Sequence, residues 1–266
     1  MVTEGDLAGI SNVGFLHFNN DLAIAQTLDL QLTNAALDKM DSSQLATVLA
    51  PETFTVRAND GTVGSIAAAQ LNLDASTVGP EFNLNVILDS LGGNNTVTLG
   101  SAGGGGSDLV VFNATTGVST VNNFNVTFDT LGIGGPLRTL VDDNANAALN
   151  TVFVPASGSN SAFALGTNEY GHVAFGESNG GYTVANIASA AQAATELETE
   201  FALAGEAAGT DALFTVVAAD NANVVGVWLF QTVTVDQVIS ANELTFLGTI
   251  NTIGGTEFSP ADIILA

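Results

Sequence analysis

Alternation of apolar and polar residues with a period of two is the feature that most constrains this chain. It is clearest over residues 82–88, where apolar side chains recur at Phe82, Leu84, Val86 and Leu88. Short segments of this kind, rich in Val, Thr and Phe and separated by Gly, Asn and Asp, predict strands. We therefore expect a mainly β fold, arranged as an antiparallel sandwich or as β-roll-like strands. The predicted strands cover residues 53–58, 82–88, 96–99, 109–112, 118–128, 151–154, 172–175, 212–217, 224–235 and 244–250.

Helices are expected over three segments, two short ones near the N-terminus and a longer one in the second half. Residues 21–37 carry apolar residues at helical spacing, although residues 28–32 also alternate as a strand does, and residues 41–49 resemble a short capped helix that stops before Pro51. Residues 184–204 are rich in Ala, with one apolar face ending at Phe201, so they predict a longer helix that packs on a sheet and turns its glutamates to solvent. The change in pattern divides the chain into a mixed region, 1–90, and a β-rich region, 91–266, which are either separate or one continuous domain.

The charge balance excludes several classes of partner. Lys and Arg number 3 against 27 Asp and Glu, which leaves a formal net charge of −24. Binding to nucleic acid or to an anionic membrane needs clusters of Lys and Arg, so neither is expected. The hydrophobic fraction of 46% is too high for a disordered chain. Cysteine is absent, which excludes disulfides and thiolate metal sites. The apolar runs have strand length, so no transmembrane segment is expected, and the first residues lack the features of a secretory signal.

One segment carries a motif with recognisable chemistry. Residues 103–111 read GGGGSDLVV and fit the nonapeptide G-G-x-G-x-D-x-U-x of calcium-binding parallel β-rolls. In that motif glycines permit the tight turn and leave carbonyl oxygens free, while the aspartate supplies a hard oxygen ligand. The candidate calcium ligands are therefore Gly103, Gly104, Gly106 and Asp108. Residues 92–100 look like a decayed second copy, and the alternative interpretation is a glycine-rich turn before the strand at 109–112.

Other candidate sites are weaker. Asp142 and Asp143 lie in a loop rich in oxygen ligands, which predicts either a second calcium site or a polar turn. The two histidines, His17 and His172, belong to no recognisable catalytic motif, so no enzyme activity and no catalytic residue are predicted. Tyr170 and Tyr182 flank a Gly-rich stretch and are the candidate aromatic platform for a carbohydrate.

The stretch from Gly103 to Leu131 resembles bacterial repeats-in-toxin-like proteins exported by type I secretion. In those proteins a calcium-binding nonapeptide is followed by a motif of the form D-x-(I/V)-x-(D/N)-F … D-x-(I/L). Residues 119–124 and 128–131 align with that motif, and the final residues, SPADIILA, are similar to the C-terminal tails of such proteins. The resemblance covers about residues 90–266. It implies an extracellular or cell-surface location, calcium as cofactor, and the type I secretion machinery as a partner that reads an uncleaved C-terminal signal.

These observations together predict a secreted structural protein that self-assembles into an extracellular filament, matrix fibre or surface layer, so its main partner is a second copy of itself. Few charges, many Asn, Thr and Gly, and a strand-rich pattern suit such a subunit. The alternatives are a secreted adhesin or carbohydrate-binding module and, third, a secreted hydrolase.

Overall fold

A computed structural model of the chain describes residues 15–17, 26–33, 52–57, 69–80, 82–88, 94–100, 106–142, 149–154, 161–174, 181–254 and 257–266. Its first nine strands alternate between two sheets, odd-numbered strands in one and even-numbered strands in the other, and every neighbouring pair among them is parallel. The chain therefore winds as a coil with two strands in each turn. The strands are β1 (Phe15–His17), β2 (Gln26–Thr33), β3 (Glu52–Arg57), β4 (Ala69–Thr77), β5 (Phe82–Leu88), β6 (Asn95–Thr98), β7 (Leu109–Phe112), β8 (Ser119–Asn125) and β9 (Thr130–Ile133).

The central turns of the coil are 24 residues long. Hydrogen bonds between equivalent positions of successive turns join residues 24 apart on both sheets. The step shortens to 21 residues where β9 follows β7. Because each strand turns alternate residues inward, equivalent apolar side chains stack along the coil, as Val86, Val110 and Leu131 do in the register of β5, β7 and β9.

The second half of the chain extends both sheets. It contains α1 (Gly135–Val141), β10 (Thr151–Val154), β11 (Ser161–Ala164), β12 (Tyr170–Val173), α2 (Ala190–Glu200), β13 (Phe201–Ala204), β14 (Asp211–Ala218), β15 (Asn221–Gln231), β16 (Leu244–Ile253) and β17 (Ile263–Leu265). Strand β17 joins the odd-numbered sheet beside β9. The even-numbered sheet gains five strands and has the order β10-β12-β14-β15-β16-β8-β6-β4-β2. Among the described strands of this sheet, only β14–β15 and β15–β16 pair antiparallel, and β11 and β13 form a separate parallel pair.

Two hydrophobic cores hold these layers together. The first fills the coil and continues under β14 and β15, where Leu137 and Val141 of α1 and Phe258 close it. The second lies on the opposite face of the same strands, between them and α2 with β11 and β13, and contains Trp228 and Phe214. All eight residues of β14 are buried because both faces of the strand are covered.

The prediction of a mainly β fold is confirmed, and the antiparallel sandwich is wrong for the coil because its strands are parallel. The helix expected within residues 21–37 is also wrong over residues 26–33. These residues form strand β2, whose Leu30 and Leu32 are buried in the first core. The second short helix, at 41–49, lies outside the described residues.

The helix expected at 184–204 is shorter than predicted. Val184–Asn186 forms a 3₁₀ turn, Ser189 caps α2 by accepting the N–H of Gln192, and residues 201–204 leave the helix to pair with β11. Glu196 and Glu200 are buried, so the expected solvent-facing acidic side is wrong at these two positions. Neither α1 nor α2 is long and apolar enough to cross a membrane, and the described ranges hold no other candidate span.

Candidate functional site

The glycine-rich motif ends at a corner of the coil where successive turns come very close. A Cβ atom placed on Gly106 would lie 1.9 Å from the carbonyl oxygen of Phe82 in the preceding turn. Beside it, the backbone N–H of Ser107 donates to Oδ1 of Asn83 at 2.8 Å. Only glycine fits at position 106, because any side chain would push the two turns apart.

Asp108 links three turns at this corner. Its Oδ1 accepts the N–H of Leu84 in the preceding turn at 2.8 Å, and its own N–H donates to Oδ1 of Asp129 in the following turn at 3.1 Å. The other oxygen of Asp129 accepts the N–H of Asn125 at 2.7 Å. The two aspartates are buried, with 6% of each exposed, and occupy equivalent positions on successive turns.

Burial sets the electrostatics of this pair. Desolvation, opposed by the hydrogen bond from Leu84 and reinforced by the charge of Asp129, raises the pKa of Asp108 to about 7. Desolvation likewise raises the pKa of Asp129 to about 6, against hydrogen bonds from Asn125 and Asp108. Each of these carboxyl groups can hold a proton near neutral pH or, when ionised, offer oxygen ligands to a hard cation.

The same arrangement, a side chain that hydrogen-bonds to both the preceding and the following turn, occurs with neutral groups on the even-numbered sheet. Oδ1 of Asn95 accepts the N–H of Leu71, one turn earlier, at 2.9 Å, and its Nδ2 donates to Oγ of Ser119, one turn later, at 3.0 Å. Asn95 is therefore the structural equivalent of Asp108. In the decayed copy expected at residues 92–100, Val97 stands at the sixth position, where Asp108 stands in residues 103–111, so that copy places the equivalent of Asp108 two residues after Asn95.

The predicted ligands are only partly brought together. Gly106 and Asp108 share the corner, while Gly103, Gly104 and Asp143 lie outside the described residues. Asp142 follows the end of α1, where its Oδ2 lies 3.9 Å from Nε of Arg138. No group of three His, Cys, Asp or Glu side chains that could hold a metal occurs in the described part of the chain. Calcium needs six to eight oxygens, so the corner would require carbonyl groups from the glycine loop in addition to Asp108 and Asp129.

The aromatic platform predicted for a carbohydrate is wrong. Tyr170 and Tyr182 are fully buried: the hydroxyl of Tyr170 is hydrogen-bonded to Thr215, and that of Tyr182 donates to the carbonyl of Ile187. His172 is a buried strand residue whose Nδ1 is hydrogen-bonded to Oγ1 of Thr215 at 2.8 Å, and desolvation lowers its pKa to about 3. The strand predicted over residues 172–175 is confirmed at His172, which lies in β12.

Sequence reasoning missed Asp129 as the partner of Asp108. The available signal was the recurrence of a polar residue at the start of a strand in each turn: Asn95 and Ser119 are the first residues of β6 and β8, and Asp108 and Asp129 directly precede β7 and β9. Comparison of the chain with protein-family models, with curated proteins and with solved structures gave no match.

Proposed function

We propose that this protein is a secreted structural subunit that assembles with copies of itself into an extracellular filament, matrix fibre or surface layer. The observation that carries the proposal is a pair of uncharged strands at the edges of the two sheets. Within the described ranges, β10 pairs only with β12, and β17 pairs only with β9. Monomeric β proteins usually protect such edges with charges, prolines or covering segments.

Neither edge carries that protection within its own strand. Strand β10 reads TVFV and β17 reads IIL, with no charged residue and no proline. Phe153 of β10 is 45% exposed, and Ile264 of β17 is 42% exposed. At the other end of the coil, β1 and β2 each pair with one described neighbour, so each sheet has a strand that could receive the edge of a second copy.

The net charge of −24 opposes contact between copies. Salt screens repulsion between exposed charges over about 10 Å at 0.1 M, and divalent cations neutralise carboxylates directly. Assembly is therefore expected to increase with ionic strength and with calcium. We place calcium at the Asp108 corner, with Asp129 and carbonyl groups of the glycine motif as the remaining ligands.

The location and export route are part of the same proposal. The resemblance of residues 90–266 to type I secreted proteins, the absence of cysteine and the scarcity of Lys and Arg support secretion through type I machinery. The tail assigned to the secretion signal ends in strand β17, where Ile263 is buried and Ile264 and Leu265 extend the sheet. A chain exported unfolded would add this strand only after it emerges.

Electron microscopy of the purified chain tests the assembly. We expect fibres or layers with calcium or at high salt, and loss of them in Phe153→Lys, which puts a charge on the β10 edge. Val184→Lys is the matched control, since Val184 is 41% exposed but lies in a 3₁₀ turn and not on a sheet edge. Monodisperse monomers of the unaltered chain under all conditions would disprove the proposal.

Carbohydrate binding is a second candidate, favoured by one groove. An open groove of about 650 Å³ crosses the outer face of β2, β4 and β6. Seven of its lining residues have polar side chains: Gln31, Gln70, Asn72, Asp74, Ser76, Thr96 and Thr98. Such groups can donate to and accept from sugar hydroxyls. Binding of the unaltered chain on a glycan array, reduced in Asn72→Ala, would support this function, and absence of any signal would count against it.

A further inference from the structure

Polar side chains on the outer face of the even-numbered sheet form two straight rows that cross its strands. The first row takes one residue from each of β4, β6, β8 and β16, which are neighbours in the register: Asn72, Thr96, Thr120 and Thr249. The second row lies two residues further along the strands and starts on β2: Gln31, Asp74, Thr98 and Asn122. None of these eight residues is buried, because the residues between the two rows, such as Val97 and Val121, fill the first core instead.

The rows repeat with the geometry of the sheet. Neighbouring strands lie about 4.8 Å apart, and two residues along a strand span about 6.6 Å. The eight side chains therefore occupy a regular grid whose rows run along the axis of the coil. The step from strand to strand is close to the length of one sugar unit in an extended pyranose chain. Such a chain lying along a row would meet one new strand with each unit.

The side chains of the rows suit sugar hydroxyls and are already restricted. Threonine hydroxyls and asparagine amides both donate and accept hydrogen bonds, as sugar hydroxyls do. Threonine is stiff about χ1 because it branches at Cβ. Oδ1 of Asn122 accepts Nδ2 of Asn251 at 2.7 Å, and Oδ1 of Asp74 accepts the N–H of Ser76 at 3.0 Å. Little side-chain entropy would therefore be lost when a ligand covers the rows.

The open groove on β2, β4 and β6 covers only the first part of the rows. It is lined by the row residues of these three strands: Gln31, Asn72, Asp74, Thr96 and Thr98. The rows continue past its lining onto β8 and β16 through three more residues: Thr120, Asn122 and Thr249. The rows thus offer a longer track than the groove by itself.

Charge restricts what this track can bind. Asp74 is the one charged residue among the eight, and the whole chain has a formal net charge of −24. A polysaccharide that carries uronate, sulfate or phosphate groups would be repelled by this field. The rows therefore favour an uncharged chain, whose hydroxyls pair with threonine and asparagine without an opposing charge.

We propose that a linear, uncharged β-1,4-linked polysaccharide binds along the two rows, with about one sugar unit on each strand. The β-1,4 linkage keeps a pyranose chain extended, as the straight rows require. This inference rests on carbohydrate binding, the second candidate function, and names its substrate class while extending its site from the groove to β8 and β16. It does not require that copies of the chain assemble.

Calorimetric titration of the full chain with oligosaccharides of two to six units tests the proposal. The panel contains β-1,4-linked oligomers of glucose, mannose, xylose and N-acetylglucosamine. For at least one of them, each added unit up to four should tighten binding about fivefold, the effect of one further net hydrogen bond. Longer oligomers should gain little, because the first row spans four strands. Curved α-1,4-linked glucose oligomers and anionic β-1,4-linked mannuronate oligomers of equal length should bind more weakly.

Two substitutions locate the chain on the rows. Thr96→Val and Thr120→Val each remove a hydroxyl and keep the branched shape, and together they should raise the dissociation constant of the four-unit oligomer about tenfold or more. Thr127→Val is the matched control: Thr127 is an exposed threonine in the turn after β8, and its replacement should leave binding unchanged. Circular dichroism and equal urea midpoints confirm that the variants fold.

The outcomes separate this inference from the function on which it rests. Binding that is reduced in Asn72→Ala but is independent of chain length and of Thr120 would overturn the rows and leave the groove as a carbohydrate site. Equal or tighter binding of the mannuronate oligomers would also overturn the proposal. Absence of binding to every oligosaccharide of the panel and on the glycan array would overturn both the rows and the second candidate function.

Discussion

Replacing Asp108 by asparagine isolates the effect of placing a carboxylate inside the coil. Asparagine has the shape of the protonated acid, and its Oδ1 can still accept the N–H of Leu84, which lies 2.8 Å from Oδ1 of Asp108. The substitution therefore removes the ionisable group while the link between turns remains.

The magnitude follows from the pKa. Burial raises the pKa of Asp108 from 3.8 to about 7, and each unit corresponds to about 1.4 kcal/mol between the two protonation states. Because the folded chain holds the proton more tightly than the unfolded chain, the stabilising contribution is complete below pH 3.8 and is lost as the pH rises to about 7. Ionisation at pH 8 thus costs the folded state about 4 kcal/mol, reduced to the extent that Asp129 titrates with it.

The assay is urea unfolding followed by circular dichroism, with a chelator present, at pH 4 and pH 8. Asp108→Asn should match the unaltered chain at pH 4 and exceed its free energy of unfolding by several kcal/mol at pH 8. Asp74→Asn is the control: Asp74 is an exposed aspartate of β4, and the change should have little effect at either pH. Calcium should stabilise the unaltered chain at pH 8 and stabilise Asp108→Asn less.

Equal stabilities of Asp108→Asn and the unaltered chain at pH 8 would refute the reasoning. So would a variant that is less stable at pH 8 without calcium, because the carboxylate would then be favourable as an ion in its buried position.

Three further substitutions test how the turns are held together, each by urea midpoint. Gly106→Ala should lower the free energy of unfolding by more than about 3 kcal/mol, because its Cβ would lie 1.9 Å from the Phe82 carbonyl oxygen. The control Gly209→Ala has open space around it and should cost about 1–2 kcal/mol for its positive φ. Equal losses would show that the spacing between turns is not the cause. Asn95→Ala should cost about 1–3 kcal/mol, because it leaves the buried N–H of Leu71 without an acceptor. This loss should exceed that of Ser119→Ala, and the reverse order would argue against Asn95 as the link between turns. Leu137→Ala should cost about 2–5 kcal/mol, because α1 closes the first core through this fully buried side chain. Leu140 is only partly buried, so Leu140→Ala should cost less. No loss of stability in Leu137→Ala would mean that α1 does not close the core.

The strands were largely predictable because one face of most of them meets a core. In β5 the observed burial alternates as the sequence does, and the predicted bounds are correct. Strand pairing was not predictable, since alternation within one strand carries no information about its neighbour. Strands β4, β6 and β8 pair at steps of 24 residues, and that distance is marked by the polar pair Asn95 and Ser119 as well as by apolar residues such as Val97 and Val121, which resemble those of any other strand.

Tertiary contacts explain why the sequence-based predictions were wrong at several positions in the second half of the chain. Phe201 continues the apolar pattern of α2, yet it leaves the helix because residues 201–204 find strand partners in β11. Glu196 and Glu200 are buried although their type favours solvent. The corner site shows the same limit: the nonapeptide indicated Gly106 and Asp108, but Asp129 comes from a turn shortened to 21 residues and matches no fixed spacing.

Fibre diffraction from aligned assemblies tests most directly whether copies join through their sheet edges. If β10 and β17 of one copy extend the sheets of the next, the strands lie across the fibre axis. The pattern should then contain a meridional reflection at about 4.8 Å, the spacing between neighbouring strands. Assemblies that diffract without this meridional reflection, or that show the spacing only on the equator, would contradict the account.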